Sequence, residues 1–295
     1  MNKNEMKICV TSGQHNESKY APEWIAWYHL QGVNKFVVYN HQSNDNTQEV
    51  YEDLARHFDI DIHQIYGNNC HYPMMQSFLD NYRPDYDWML CHCDPDEYMF
   101  SVDPSKTVRD VLWDYWDTPH SALGVYWVFF GSNHYEKDPE IPTIQAYTKR
   151  SRIEEPLNHH MKSIVRGRGK GGNIVATNPH VYTTDHGTVD LEGRPILPHQ
   201  GWNKFNPASH NIMRINHYWP RSYEWFKKVK QERGYRWDRD PSDPTSNVSE
   251  EFWMSQNFND VEDMKIWNEW GERYMAILDD IKSKMKVKPN LLTRF

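Results

Sequence analysis

Long apolar runs are missing from the 295-residue sequence. No window reaches the roughly 18 apolar residues of a membrane span, and the amino-terminal MNKNEMKICVTSGQ has no apolar stretch of signal-peptide length. A soluble, cytoplasmic chain is the expectation. Cysteine is scarce: four residues are too few for a disulfide-built scaffold. Cys91 and Cys93, two apart in an extended run, point the same way but sit too far apart for an easy bridge. The Cys91-His92-Cys93 triplet also lacks a second Cys/His group at zinc-site spacing, so it is not read as a zinc site. A long basic block is absent too, and 33 basic against 41 acidic residues give a net charge of −8. That balance argues against a nucleic-acid backbone as main partner. Internal repeats, low-complexity tracts and the Walker spacing of an ATP-hydrolysing loop are also lacking.

What remains is the composition of a folded chain, 38% hydrophobic and 25% charged, long enough to bury a sizeable core. Lys7 to Thr11, Lys35 to Tyr39, Ile60 to Tyr66 and Trp88 to Cys93 read as strands. Between them Pro22 to Leu30, Gln48 to Phe58 and Met74 to Tyr82 read as helices, the first with proline in its first turn. Such alternation predicts an α/β fold with a mostly parallel sheet, whose ligands bind at the carboxyl ends of the strands. Farther on, Thr107 to Trp116 and Ser222 to Glu232 read as helices and Ala122 to Phe130 and Asn211 to Trp219 as strands. DRDPSDPT, from Asp238 to Thr245, reads as a loop before two final helices. The simplest division is one domain over residues 1–235 with a helical extension over 236–295 packed on it.

The fourth strand ends in WMLCHCDPDEYMF, where Asp94, Asp96 and Glu97 crowd three carboxylates into four residues. Like charges so close repel unless solvated or joined by a cation. In an extended segment Asp94 and Asp96 project to one side, and hard oxygen donors suit Mg²⁺ or Mn²⁺ completed by phosphate oxygens of a substrate. A solvated acidic turn is the alternative. In NIMRINHYW the alternation puts His217 at the end of an apolar row, either as a hydrogen-bonded core residue or as a third ligand to that ion. RGRGKGG, from Arg166 to Gly172, is either a lid of backbone N–H groups and cations over phosphates or a hairpin tip. Thirteen Trp and eighteen Tyr supply planes on which sugars can stack, beyond those the core needs.

In their order, HNE (His15 to Glu17), PEWIAWYHLQGV, VVYNHQSNDNT, DPDEY, WVFFGS, MKSIVR and INHYWPRSYEWFKKVKQERG resemble glycosyltransferases of the family 2 and family 92 type over about Lys7 to Gly234. The resemblance implies a GT-A fold with a metal-binding DxD motif. It implies that Asp94 lies near the ribose and metal, that Asp96 binds the metal and that His217 completes the coordination. Thr11, Glu17 and the turn of Asn40, Ser43 and Asp45 would hold the nucleotide, and Lys162 would face the diphosphate or acceptor. Many family 2 enzymes carry an Asp where this chain has Asn40 and His41, which leaves a UDP-sugar foremost and GDP open, since an Asn oxygen can accept the same uracil N3–H bond. Inversion at the anomeric carbon is expected by the same resemblance and needs a base, with Asp185 the candidate and Glu155 and Asp190 next. The expected partners are therefore a nucleotide-sugar donor and a glycan or other hydroxyl acceptor. A two-metal phosphoesterase would gather more of the sixteen His, and a non-catalytic carbohydrate-binding protein would not need the DPDEY cluster.

Overall fold

Apolar runs of Val, Ile and aromatic residues alternate with capped or amphipathic segments, and each becomes a strand or helix. In chain order these are β1 Ile8–Gln14, α1 Ala21–Leu30, β2 Lys35–His41, α2 Thr47–Leu54, β3 Ile60–Ile65, α3 His71–Tyr82, β4 Trp88–Leu90, β5 Glu97–Ser101, α4 Val108–Asp114 and β6 Ala122–Phe129. Then follow α5 Thr143–Ala146, β7 Lys149–Arg150, β8 Met161–Arg166, β9 Ile174–Ala176, β10 Tyr182–Thr184, β11 Thr188–Asp190, β12 Pro195–Ile196 and β13 Met213–His217. Last come α6 Tyr223–Trp225, which runs on as a π-helical turn over Phe226–Gln231, α7 Glu250–Ser255, β14 Val261–Glu262 and α8 Lys265–Lys284. This computed structural model describes residues 2–68, 70–197, 208–233, 242 and 247–290. The 235/236 boundary and, apart from Ser242, the DRDPSDPT loop lie outside the described residues.

The main sheet has the order β12-β11-β6-β8-β4-β1-β2-β3. Strands β4, β1, β2 and β3 are mutually parallel, and β8 runs against both β4 and β6. Strand β13 joins parallel to β6 and carries β5 antiparallel on its other side. The expected α/β architecture, a mostly parallel central sheet flanked by helices, is what the chain adopts. Helix α1 is buried from Ala21 to Tyr28, as an apolar-all-round helix must be, between the sheet and α8. Trp27 meets Trp270 and Tyr274 of α8 at ring-centroid distances of 6.1 and 5.7 Å. Trp270, Tyr274, Leu278 and Ile281 share one core cluster with the sheet, so α8 completes that core.

One local expectation is corrected, and of the two readings left open for RGRGKGG the lid over phosphates falls. Strand β4 stops at Leu90, because His92 adopts the left-handed region at φ 57° and the Glu97 N–H closes a turn on the Asp94 carbonyl at 2.9 Å. Asp94 and Asp96 therefore sit on a turn rather than two apart along a strand. RGRGKGG lies at the opposite pole of the sheet: Arg166 pairs with Trp88, the first residue of β4, whereas Asp94 follows the last. There the Gly167 N–H donates to Asp87 O, and a Cβ on Gly167 would meet the Tyr86 carbonyl oxygen at 1.8 Å. Loop and acidic turn cannot close over one ligand.

Candidate active site

The acidic turn is held from beneath by the core. Tyr28 of α1 donates its hydroxyl to Glu97 O at 2.9 Å, and the Glu97 side chain accepts the Asp94 N–H at 3.1 Å. The outward groups of the turn open on a cavity of about 340 Å³, within the roughly 300–1,000 Å³ usual for small-molecule sites. Its walls gather residues far apart in sequence: Glu17 after β1, Asp94 and Asp96, Trp127 of β6, Lys162 of β8, His217 of β13 and Lys230 of the π-helical turn. The site thus lies at the carboxyl ends of parallel strands β1 and β4.

Two buried ammonium groups compensate the carboxylates. Lys162 Nζ lies 2.9 Å from Asp94 and 3.2 Å from Glu97. Lys230 Nζ lies 3.2 Å from Asp96 and donates to Trp219 O at 2.8 Å. Burial works against the Asp96 charge, but Lys230, with His217 and Arg221, outweighs it and holds this carboxyl well below the usual range. Glu97, fully buried with Asp94 and Asp96 as neighbours, is pushed well up despite Lys162. Burial opposes the charge of Lys162 as well, yet Asp94 and Glu97 raise its pKa. Burial also lowers His217, which Asp96 only partly offsets. The His92 imidazole, on its strained left-handed backbone, reaches Asp94 at 3.2 Å and is driven well down by burial, then by Lys162.

The residues expected from sequence are distributed as follows. Asp94, Asp96, Lys162, His217 and Glu17 meet at the cavity. Glu17 is held at 2.7 Å by buried Arg221, and burial raises its pKa to about 7 against that cation. Thr11 is not brought to the wall: it is core, its hydroxyl donating to Val37 O at 3.0 Å. Asn40, Ser43 and Asp45 spend their side-chain oxygens on backbone, and the Asn40 amide donates to Gln48 Oε1 at 3.1 Å. They accept from the N–H groups of Ser43, Asn16 and Ser18 at 3.3, 2.9 and 3.2 Å, knitting the turn before α2 to the loop after β1. Among the described residues it is that loop, through His15 and Glu17, that reaches the cavity.

Asp185 is the clearest departure. Its carboxylate accepts the Asn173 N–H at 2.8 Å in the β9–β10 hairpin, beside Gly172 of the RGRGKGG loop at the far pole. Asp190 is bound to Arg194 at 2.7 Å, and neither it nor Glu155 is among the described residues lining the cavity. Sequence reasoning missed Lys230, His92, His160, His180, Trp219 and Arg233, all of which line it. The run KKVKQER contained two of these, but nothing in its spacing said which side faces inward.

Whether the wall suits a divalent ion can be judged from its donors. Asp96 Oδ1 and His217 Nε2 face each other at 3.5 Å, while the two Asp94 oxygens are taken by Lys162 and His92. Among the described residues no group of three or more His, Cys, Asp or Glu side chains is arranged to hold a metal. The expected trio is thus reduced to a pair, and a pair fits Mg²⁺ or Mn²⁺ when phosphate oxygens and waters complete the shell.

The α/β sheet thus carries a lysine-compensated acidic turn at its strand ends, in a cavity also lined by Trp127, Phe129, Trp219 and Trp225. The chain belongs to glycosyltransferase family 92, whose family model matches residues 4–257. A glycosyltransferase family 92 protein of Oryza sativa subsp. japonica is 25% identical over 228 residues, 75% of this chain. The chain spans about a third of that relative's length, 34%. Among solved structures, S. aureus TarS 1-349 overlaps 55% of this chain and 47% of its own, at 18% identity and a TM-score of 0.36. Its complex with UDP gives 20% and 0.37 over the same shares. A UDP-glucose pyrophosphorylase complexed with UDP-glucose overlaps 55% of this chain and 69% of its own, at 6% identity and a TM-score of 0.29. Among the described residues no helix is long and apolar enough to cross a membrane.

Proposed function

We propose that this glycosyltransferase moves a sugar from a nucleotide-sugar donor, a UDP-sugar foremost, to a hydroxyl of a glycan or other acceptor, with inversion and with Mn²⁺ or Mg²⁺ bound. The observation carrying this reading is the convergence of Asp96, His217 and Lys162 on one cavity at the strand ends. A bound ion would supply positive charge to the departing diphosphate, held by Asp96 and His217. Lys162, fixed by Asp94 and Glu97, adds an ammonium that needs no reorganisation when that charge develops.

The acceptor would lie against Trp127, on which His160 stacks with ring centroids 5.1 Å apart and against which His180 stands at 5.0 Å. His180 Nδ1 lies 2.9 Å from Met161 O, so in the neutral ring this nitrogen carries the proton and Nε2 is left as an acceptor. With Asp185 at the far pole, His180 replaces it as the group facing the acceptor hydroxyl; burial, then Lys162 and His160, hold its pKa well below the usual histidine range, so Nε2 orients that hydroxyl as a hydrogen-bond acceptor rather than as a strong base. Calorimetric titration of UDP and GDP, with Mn²⁺ and with EDTA, tests the donor reading in the wild type and Asp96→Ala. Metal-strengthened nucleotide binding that Asp96→Ala abolishes is expected. Absent or metal-indifferent binding would sink the metal-dependent reading.

A further inference from the structure

Lys230 lines the cavity outside both the Asp96–His217 pair and the wall around Trp127. It is 6% exposed, and its ammonium sits 4.0 Å from the centroid of the Trp219 ring and 5.2 Å from that of Trp225. Sinking a lysine this deep is costly, and burial, with Arg221 and Arg233 nearby, brings its pKa down to about 8 although Asp96 pulls the other way. The backbone that carries it is also unusual. Phe226–Gln231 is a π-helical turn, a rare form frequently found at functional sites. Its wider i→i+5 repeat lets Val229 and Lys230, four and five residues after Trp225, both line the cavity with Trp225.

An ammonium has three N–H donors. One is spent on Asp96 Oδ2 and one on Trp219 O, which leaves one for a ligand in the cavity that Lys230 lines. The surrounding charges favour an anion. Glu17, Asp94 and Asp96 on the wall face Lys162, Lys230 and Arg233; behind the wall Arg221 adds a cation at Glu17, while the Glu97 carboxyl beside Lys162 is pushed well up toward its neutral form. The histidines of the wall add no negative charge, and the site is therefore locally more positive than a chain of net charge −8 would suggest.

We propose that Lys230 is a diphosphate-binding residue of the donor site: its third N–H donates to an oxygen of the diphosphate while its contact with Asp96 fixes that carboxylate. The assignment rests on the donor reading above. It makes Lys162 and Lys230, from β8 and the π-helical turn, two cationic jaws on the leaving group.

The test is calorimetry on the whole chain with the pairs UDP and UMP, and GDP and GMP, in Mn²⁺ and in EDTA, for the wild type, Lys230→Met and Lys230→Gln. Thermal melts of both variants establish that they fold, and the diphosphate-to-monophosphate ratio is insensitive to partial loss of active protein. A charge-assisted hydrogen bond corresponds to about a tenfold to hundredfold change in Kd. The expected result is that loss for the diphosphate in both variants, with monophosphate affinity held within about threefold, in EDTA as well as in Mn²⁺. A ratio that survives in both variants, or is lost only when Mn²⁺ is present, overturns the assignment, the second because Lys230 would then act only through Asp96. A wild type that binds none of the four nucleotides overturns the donor reading and this assignment together.

Discussion

Replacing Lys162 by methionine isolates the charge compensation on which the acidic turn depends. Methionine nearly conserves the buried volume, so the cavity contribution is small and the electrostatic one dominates. The lysine is 1% exposed between Asp94, 30% exposed, and Glu97, which is fully buried. Breaking a buried ion pair costs about 3–5 kcal/mol, because the partner is left as an uncompensated charge. Two features move the figure to the lower end: Asp94 is partly solvated, and Glu97 is already pushed toward its neutral form. A loss of about 3 kcal/mol at pH 8 follows, on the order of 5 °C in Tm for a chain of this size. Glu97, pushed well up by burial, takes up a proton as the pH falls, and more readily once the ammonium is gone, so the difference from wild type shrinks at lower pH. Urea unfolding of both proteins at pH 8 and pH 5 measures it. A loss below about 1 kcal/mol at pH 8, or one that does not change with pH, would show that the ammonium is not what stabilises the turn.

Further expectations follow from neighbouring residues. His180→Ala should leave UDP affinity within about threefold while donor turnover falls by about tenfold; equal turnover would remove His180 from the acceptor site. Burial holds His210 at about 4, although its Nε2 contacts Trp127 O at 2.7 Å. The unfolded chain therefore takes up a proton near 6.5 that the folded chain refuses. Stability present above that pH is lost as pH falls toward 4, by up to about 3 kcal/mol. His210→Gln should flatten this acid limb in denaturation curves, and an unchanged limb would contradict it. Gly131→Ala should cost at least about 2 kcal/mol, since a Cβ there would lie 1.8 Å from the Phe258 carbonyl oxygen; an unaltered urea midpoint would refute that close approach.

The first third of the fold is readable from sequence because strand and helix periods alternate cleanly from Ile8 to Leu90. The acidic turn is readable for a different reason: three carboxylates after an apolar strand need a cation. Which cations they meet is hidden, because Lys162 and Lys230 lie 68 and 134 residues from their Asp partners and arrive by strand order and a π-helical turn. Thr11 misleads because its hydroxyl is satisfied by the adjacent strand, and RGRGKGG because composition does not say at which end of the sheet a loop falls. Asp185 fails similarly, as a loop carboxylate consumed by a backbone N–H in its own hairpin.

Crystals grown with UDP and Mn²⁺, with data collected at the manganese absorption edge, test the central claim most directly. The account predicts an anomalous peak between Asp96 and His217, with the diphosphate in the same cavity within hydrogen-bond reach of the Lys162 ammonium. Nucleotide bound elsewhere, or in the cavity with its phosphates away from Asp96 and Lys162, would contradict it.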